Sequence, residues 1–338
     1  MMRPVVTGLA AVVFASVAMA QQPDTFGRQF APSERNRGIG WRLDDRLAFL
    51  GQKLFFDARL SGTGTTACAS CHDPSYAFAE PRRVSISDSG RHGPRNAPSL
   101  VDVGSLPRLM WDGRFRTLEE QALSPFQRGE MGIGVDQAVQ RVSSDPQYRH
   151  LFRVALGHQP TADGVARALA AFQRTLVSLP SRVDRFLVNN ETAILTPLEQ
   201  NGFYIFNRRA ACSNCHQLFP LRPDGREHSQ PVLMDFRFHN LGVGYRSGGF
   251  DDTGRYGHSL IKAEWGAFRT PSLRNSARTP PYMHDGSLAT LEDVVEFYSA
   301  GGRPNPNLSP LIRPLFLHGY EKAALVAFLR ALTDQDCE

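Results

Sequence analysis

Cys68-Ala69-Ser70-Cys71-His72 and Cys212-Ser213-Asn214-Cys215-His216 are two copies of one pattern, Cys-x-x-Cys-His, set 144 positions apart in a chain of 338 residues. The two thiols of each copy are spaced to add to the two vinyl groups of one porphyrin. The adjacent histidine then reaches the iron, so each copy reads as a covalent c-type haem attachment site. A dithiol redox motif has no use for a histidine directly after it, and a structural zinc site draws its cysteine pairs from nearby stretches. Two haem c groups are therefore expected, bound by Cys68, Cys71, Cys212 and Cys215, with His72 and His216 as proximal ligands.

Helical patterns precede both copies. Leu47, Leu50 and Leu54 recur at helical spacing between Leu43 and Phe55, and Thr161 to Ser178 places Val165, Leu169, Phe172 and Leu176 on one face. Ahead of the second copy, Thr196-Pro197-Leu198-Glu199 combines a capping box with proline at the first helical position, predicting a helix to about Asn207. Alternating strand patterns are scarce, while 29 glycines and 23 prolines punctuate the remainder. The expected fold is mainly α: two cytochrome-c-like helical haem domains with long irregular loops, an N-terminal one over residues 21–185 and a C-terminal one over 186–338.

The residue content agrees with a globular chain. Apolar residues make up 41% and charged ones 21%, which argues against a disordered or multi-span membrane protein. Of 38 basic residues only three are lysines (Lys53, Lys262, Lys322), and the net charge of +5 is spread along the chain, so no nucleic-acid footprint is visible. Arg3, the apolar run from Val5 to Val17 and Ala18-Met19-Ala20 describe a cleavable secretory signal, too short to span a bilayer. Cleavage after Ala20 and a periplasmic location follow as expectations. Cys337 is left over near the C-terminus, without an assigned role.

Around the two copies the chain resembles the bacterial di-haem cytochrome c peroxidases, the family that includes the MauG-like enzymes, from about Leu43 to Leu332. The resemblance rests on Leu54-Phe55-Phe56-Asp57, Gly93-Pro94-Arg95-Asn96-Ala97-Pro98, Trp111-Asp112-Gly113-Arg114, Leu118-Glu119-Glu120-Gln121-Ala122, Asp235-Phe236-Arg237-Phe238-His239-Asn240 and Pro281-Tyr282-Met283-His284-Asp285-Gly286. It implies that the His72 haem reacts with hydrogen peroxide, that the His216 haem accepts and relays electrons, and that Trp111 lies between them. It also implies a calcium ion held by Asn96, Thr279 and the Pro281 carbonyl, oxygen ligands that suit a hard cation. Gln121 and Glu130 match the polar pair that assists oxygen–oxygen cleavage, although the segment from Pro125 to Glu130 is one residue shorter than usual.

Two departures sharpen the resemblance. The methionine that normally ligates the second haem, 14 positions after the histidine of Tyr282-Met283-His284-Asp285-Gly286, is Tyr298, as in the MauG-like branch. Thr290 and Asp293 predict a cap for its helix, with Leu291, Val294, Val295 and Tyr298 on one face. A phenolate oxygen favours ferric iron and should lower that haem's potential. The histidine that in many members blocks the first iron until reductive activation is Asp88, with His92 the nearest alternative, so an open site is expected; Pro125 matches the branch's distal proline. The type member of that branch carries a surface tryptophan two residues before its second motif, where this chain has Ala210, which argues against that enzyme's particular partner but not against another protein substrate.

The resulting expectation is a periplasmic di-haem peroxidase reducing hydrogen peroxide to water with electrons from a small redox protein, a cytochrome c or a cupredoxin. The alternatives are MauG-like oxidation of residues on a partner protein and a plain di-haem electron carrier.

Overall fold

The computed structural model describes residues 45–127, 129–220 and 231–334. The secretory-signal reading and Cys337 lie outside these residues. The fold is mostly helical, as expected. Its helices are α1 (Asp45–Phe55), α2 (Leu118–Gln127), α3 (Val135–Ser144), α4 (Pro146–Leu156), α5 (Ala162–Thr175), α6 (Arg182–Val188), α7 (Pro197–Tyr204), α8 (Tyr256–Ser259), α9 (Leu291–Ser299) and α10 (Gly319–Arg330). Among the described residues, strand is confined to two short antiparallel pairs, β1 (Phe238–Asn240) with β4 (Ala267–Arg269) and β2 (Tyr245–Arg246) with β3 (Gly249–Phe250). No helix among these residues is long and apolar enough to cross a membrane.

The local signals act where the sequence puts them. The Thr196 hydroxyl accepts from the Glu199 N–H, and the Glu199 carboxylate accepts from Thr196 in return, starting α7 with Pro197 in its first turn. Thr161 caps α5, and Thr290 with Asp293 forms the same reciprocal cap on α9. Helix α7 ends at Tyr204 and the chain continues through a π-turn, Ile205–Arg209, that leads to the second Cys-x-x-Cys-His.

Two apolar cores form, one drawn from Leu50 to Leu176 and the other from Val183 to Leu332. Each is organised by one helix crossing, and the two crossings match. Helix α1 packs on α5 and α7 packs on α10. A methyl group at Gly51 would overlap the Ala168 carbonyl, and one at Gly202 would overlap the Ala324 carbonyl, so both glycines permit backbone contact that no side chain allows. One turn further, Phe55 meets Phe172 with ring centroids 5.1 Å apart at 57°, and Phe206 meets Phe328 at 5.1 Å and 53°. Gly-x-x-x-Phe thus precedes each haem motif and locks it onto the last helix of its half.

The halves meet through ionic contacts. Arg274 donates to Asp184 at 2.7 and 3.0 Å, to the Ser178 hydroxyl at 2.6 Å and to the Leu179 carbonyl at 2.8 Å. Asp102 accepts from the Ser178 N–H and hydroxyl at 2.9 and 2.5 Å, tying the first half to this clamp. A second junction joins Arg95 to Asp112 and Asp252 at 2.5 and 2.6 Å, with Arg114 also on Asp112.

Candidate functional site

A cavity of about 550 Å³ lies against the second Cys-x-x-Cys-His and runs to the junction of the halves. Its wall includes Cys212, Cys215 and His216 at one side, Tyr298 on α9, and Trp111, Asn96, Thr279 and Pro281 toward the junction. That volume and the largely aliphatic remainder of the lining suit a flat apolar cofactor.

The residues expected to hold haem are set up for it. Cys68, Cys71, Cys212 and Cys215 are free thiols rather than disulfides. Burial pushes the Cys68 and Cys212 thiols up to about 12 and Cys71 to about 11, so they sit there uncharged, as thioether sulfurs would. The two histidines are held alike: Nδ1 of His72 donates to the Phe78 carbonyl and Nδ1 of His216 to the Leu233 carbonyl, both at 3.0 Å. A carbonyl can only accept, which fixes the tautomer and leaves Nε2 with its lone pair for a metal. Burial also lowers both imidazole pKa values, more than the hydrogen bonds to Phe78 and Leu233 raise them, so both rings stay neutral. The donor set therefore fits two covalently attached haems.

Tyr298 sits where the cap on α9 sends it. Leu291, Val294, Val295 and Tyr298 all face the cavity. Burial, followed by the neighbouring Cys212 and Cys215 sulfurs, raises the phenol's pKa far above its ordinary value. Such a phenol ionises only beside a strong positive charge.

At the junction, Trp111 and Asn96 are joined: the indole Nε1 donates to the Asn96 carbonyl at 2.8 Å. The Asn96 amide donates to the carbonyls of Glu80 and Arg82 at 2.9 and 2.8 Å, which orients its oxygen as an available ligand atom. Thr279 donates its hydroxyl proton to the Ser276 carbonyl at 3.2 Å and keeps its lone pairs. These groups fit an oxygen-liganded cation.

The residues matched to the peroxide side lie apart from this wall. Gln121 on α2 is half-buried, its amide 3.8 Å from the Met110 sulfur. Glu130 is exposed on the loop after α2, and its carbonyl accepts from the Asp88 N–H at 2.8 Å. Asp88 also accepts from the Thr63 N–H at 2.8 Å and its hydroxyl at 2.5 Å. Its slight burial would raise the carboxyl pKa, but the Thr63 bonds draw it down to about 2. Asp88 thus ties its own loop to the Thr63 loop by its side chain and to the Glu130 loop by its main-chain N–H, while His92 is exposed. Ala210 is buried against the cavity rather than at the surface.

Several further residues shape the site in ways that their place in the sequence does not show. His239 binds Asp235 at 2.8 Å on the cavity wall and, chiefly through that carboxylate, is raised to about 9. Arg269 and Arg274 line the same cavity. The Gly-x-x-x-Phe pair could have been found by aligning the two halves on their motifs.

Comparison with known proteins gives a consistent result. The profile of the di-haem cytochrome c peroxidase family matches residues 45–192. The chain is 36% identical to the methylamine utilization protein MauG of Methylorubrum extorquens, over 84% of this chain and 77% of that protein. It is 32% identical to the cytochrome-c peroxidase IdrP1 of Pseudomonas sp. (strain SCT), covering 84% and 80%. Among solved structures, a MauG-like protein associated with microbial copper homeostasis superposes with a TM-score of 0.77 at 35% identity, covering 88% of this chain and 92% of that one. With two haem-attachment motifs, two matched helix crossings and relatives of this similarity along most of its length, the chain belongs to the di-haem cytochrome c peroxidase family, haem-dependent oxidoreductases that include MauG.

Proposed function

We propose that the protein is a periplasmic peroxidase that reduces hydrogen peroxide to water with electrons from a small redox protein. Residues 21–185 would form the peroxidatic unit and 186–338 the electron-receiving one. The observation that carries this reading is the single cavity wall shared by His216, Tyr298 and Trp111. A donor's electron arriving at the second motif meets an aromatic ring that belongs to the first half. When bound, the haems supply the redox chemistry: two electrons in, one peroxide bond broken, and two protons taken up to give two waters.

The chain's own residues do the rest. His72 and His216 each present a neutral Nε2, oriented through Nδ1. Tyr298 would offer a phenolate oxygen to a ferric haem bound at the second motif, and that donor favours a lower potential than a thioether does. Gln121 holds a polar amide in the distal region, and Glu130 is the group able to move a proton between the peroxide oxygens. Asp88 pins the Glu130 loop, which keeps the first site open without a reductive step. Asn96, Thr279 and the Pro281 carbonyl would bind calcium and brace Trp111 through the Asn96 backbone.

A second reading, oxidation of residues on a partner protein, is favoured by Tyr298 and by the MauG relatives, but Ala210, buried against the cavity, supplies no aromatic ring two residues before the second motif. Mixing the oxidised protein with peroxide, recording the haem spectra and then adding a reduced cytochrome c decides between them. Rapid discharge with turnover is expected. A long-lived oxidised species that the cytochrome leaves untouched would establish the second reading, and no spectral response would overturn both.

A further inference from the structure

Two arginines five positions apart, Arg269 and Arg274, line the cavity, and their surroundings differ. Arg274 is neutralised by Asp184, with Asp102 at 3.7 Å and Asp334 at 4.0 Å behind it. Arg269 is 5% exposed and, among the described residues, has no carboxylate partner. Its Nε donates to the Met110 carbonyl at 3.4 Å and one terminal nitrogen to the Thr270 carbonyl at 3.0 Å. Two neutral carbonyls leave most of the five N–H groups of the guanidinium fork unused. Burial alone drags its pKa down to about 10. A buried cation without a counter-charge costs several kcal/mol, so a fold that keeps one in a cofactor cavity implies an anion supplied by the occupant.

The position of Arg269 narrows what that anion is. It closes β4 opposite Phe238, and its main-chain N–H donates to the Trp111 carbonyl at 2.7 Å. The side chain bonds Met110, the neighbour of Trp111, and lines the cavity with Trp111. A c-type haem attached at Cys212 and Cys215 directs its vinyl-derived edge to those sulfurs and carries two carboxylates on the rest of its rim. A planar fork of N–H donors matches one carboxylate in two-pronged fashion.

We propose that Arg269 binds a propionate carboxylate of the second haem and thereby sets the position of that haem relative to Trp111. The proposal rests on the reading that this haem occupies the cavity. Arg269 is then a positioning residue: one residue holds the haem rim by its side chain and the Trp111 backbone by its own.

The test uses the full-length holoprotein and its Arg269→Gln and Arg269→Lys variants. Haem content is measured first, since a wild-type protein lacking haem at Cys212 and Cys215 would overturn the reading of the cavity rather than the role of Arg269. With two haems present, Arg269→Gln should lower the midpoint potential of the second haem, because removing a nearby positive charge favours the ferric state. It should also shift the propionate bending bands in the resonance Raman spectrum, and Arg269→Lys should restore the potential in part. An unchanged potential with unchanged propionate bands, or changes confined to the first haem, would overturn the proposal. If Arg269→Gln does not fold, Arg269→Lys still decides: a single-pronged donor must alter the propionate bands, and bands identical to wild type would refute the contact.

Discussion

The indole Nε1–H of Trp111 donates to the main-chain carbonyl of Asn96, 2.8 Å away, so the ring hangs from the residue proposed to bind calcium. On that proposal, binding of the ion and the orientation of the ring would be coupled. Removing calcium with a chelator should shift the emission of Trp111 and slow peroxide turnover, and calcium should restore both. Trp111→Phe should lower turnover at least about tenfold, a barrier increase of about 1.4 kcal/mol, without altering haem content. Equal turnover in the variant would remove Trp111 from the electron path.

Tyr298→Phe should convert the second haem to a five-coordinate or water-ligated spectrum, and Tyr298→Met should raise its midpoint potential, since a neutral sulfur stabilises ferric iron less than a phenolate. A second-haem spectrum indifferent to Tyr298→Phe would refute the ligand assignment.

Asp88→His should restore a potential iron ligand while cutting the bonds to Thr63. The oxidised variant should then react with peroxide slowly and recover after partial reduction. Unchanged reactivity in both states would show that this loop does not reach the first iron.

Acid should open the junction of the halves. Burial would raise the Asp112 carboxyl pKa, but the hydrogen bonds from Arg114 and the charge of Arg95 outweigh it and hold the group below 3.8. A carboxyl depressed in the folded state adds stability that is complete above its unfolded pKa and fades as pH falls through the folded one. Stability should therefore decline below about pH 4. Asp112→Asn should flatten that decline and cost about 3 kcal/mol at neutral pH, because Arg114 loses its carboxylate while Arg95 keeps Asp252. Denaturant unfolding followed from pH 3 to 7 checks both.

Gly51→Ala and Gly202→Ala should each destabilise their own half by at least about 1–3 kcal/mol, the usual cost of overpacking, because the new methyl meets backbone rather than a movable side chain. Separate unfolding transitions for the two halves, followed through each haem's own absorbance, would show which crossing each change affects.

What was legible in the sequence was local. The caps at Thr196 and Thr290 and the face holding Tyr298 depend on residues three or four positions apart, and all appear where the spacing put them. The Gly51–Ala168 and Gly202–Ala324 crossings join positions 117 and 122 apart, and periodicity within a helix carries no trace of the partner. The same holds for charge. Arg269 and Arg274 look alike in sequence, and only the tertiary surroundings show that one has its acids and that the other, among the described residues, has none.

The duplicated crossing bears on how the molecule is assembled. Each half joins its opening helix to its closing one without borrowing from the other, since the chain that completes the first crossing ends at α5, before α6 begins. The ion pairs of Arg95 and Arg274 lie along the seam beside main-chain bonds from Arg269 to Trp111 and from Asn96 to His284, so added salt should weaken one part of the contact between the halves and leave the other. Electron transfer across the seam would then depend on docking quality, a property that ionic strength can tune without touching either haem's ligands.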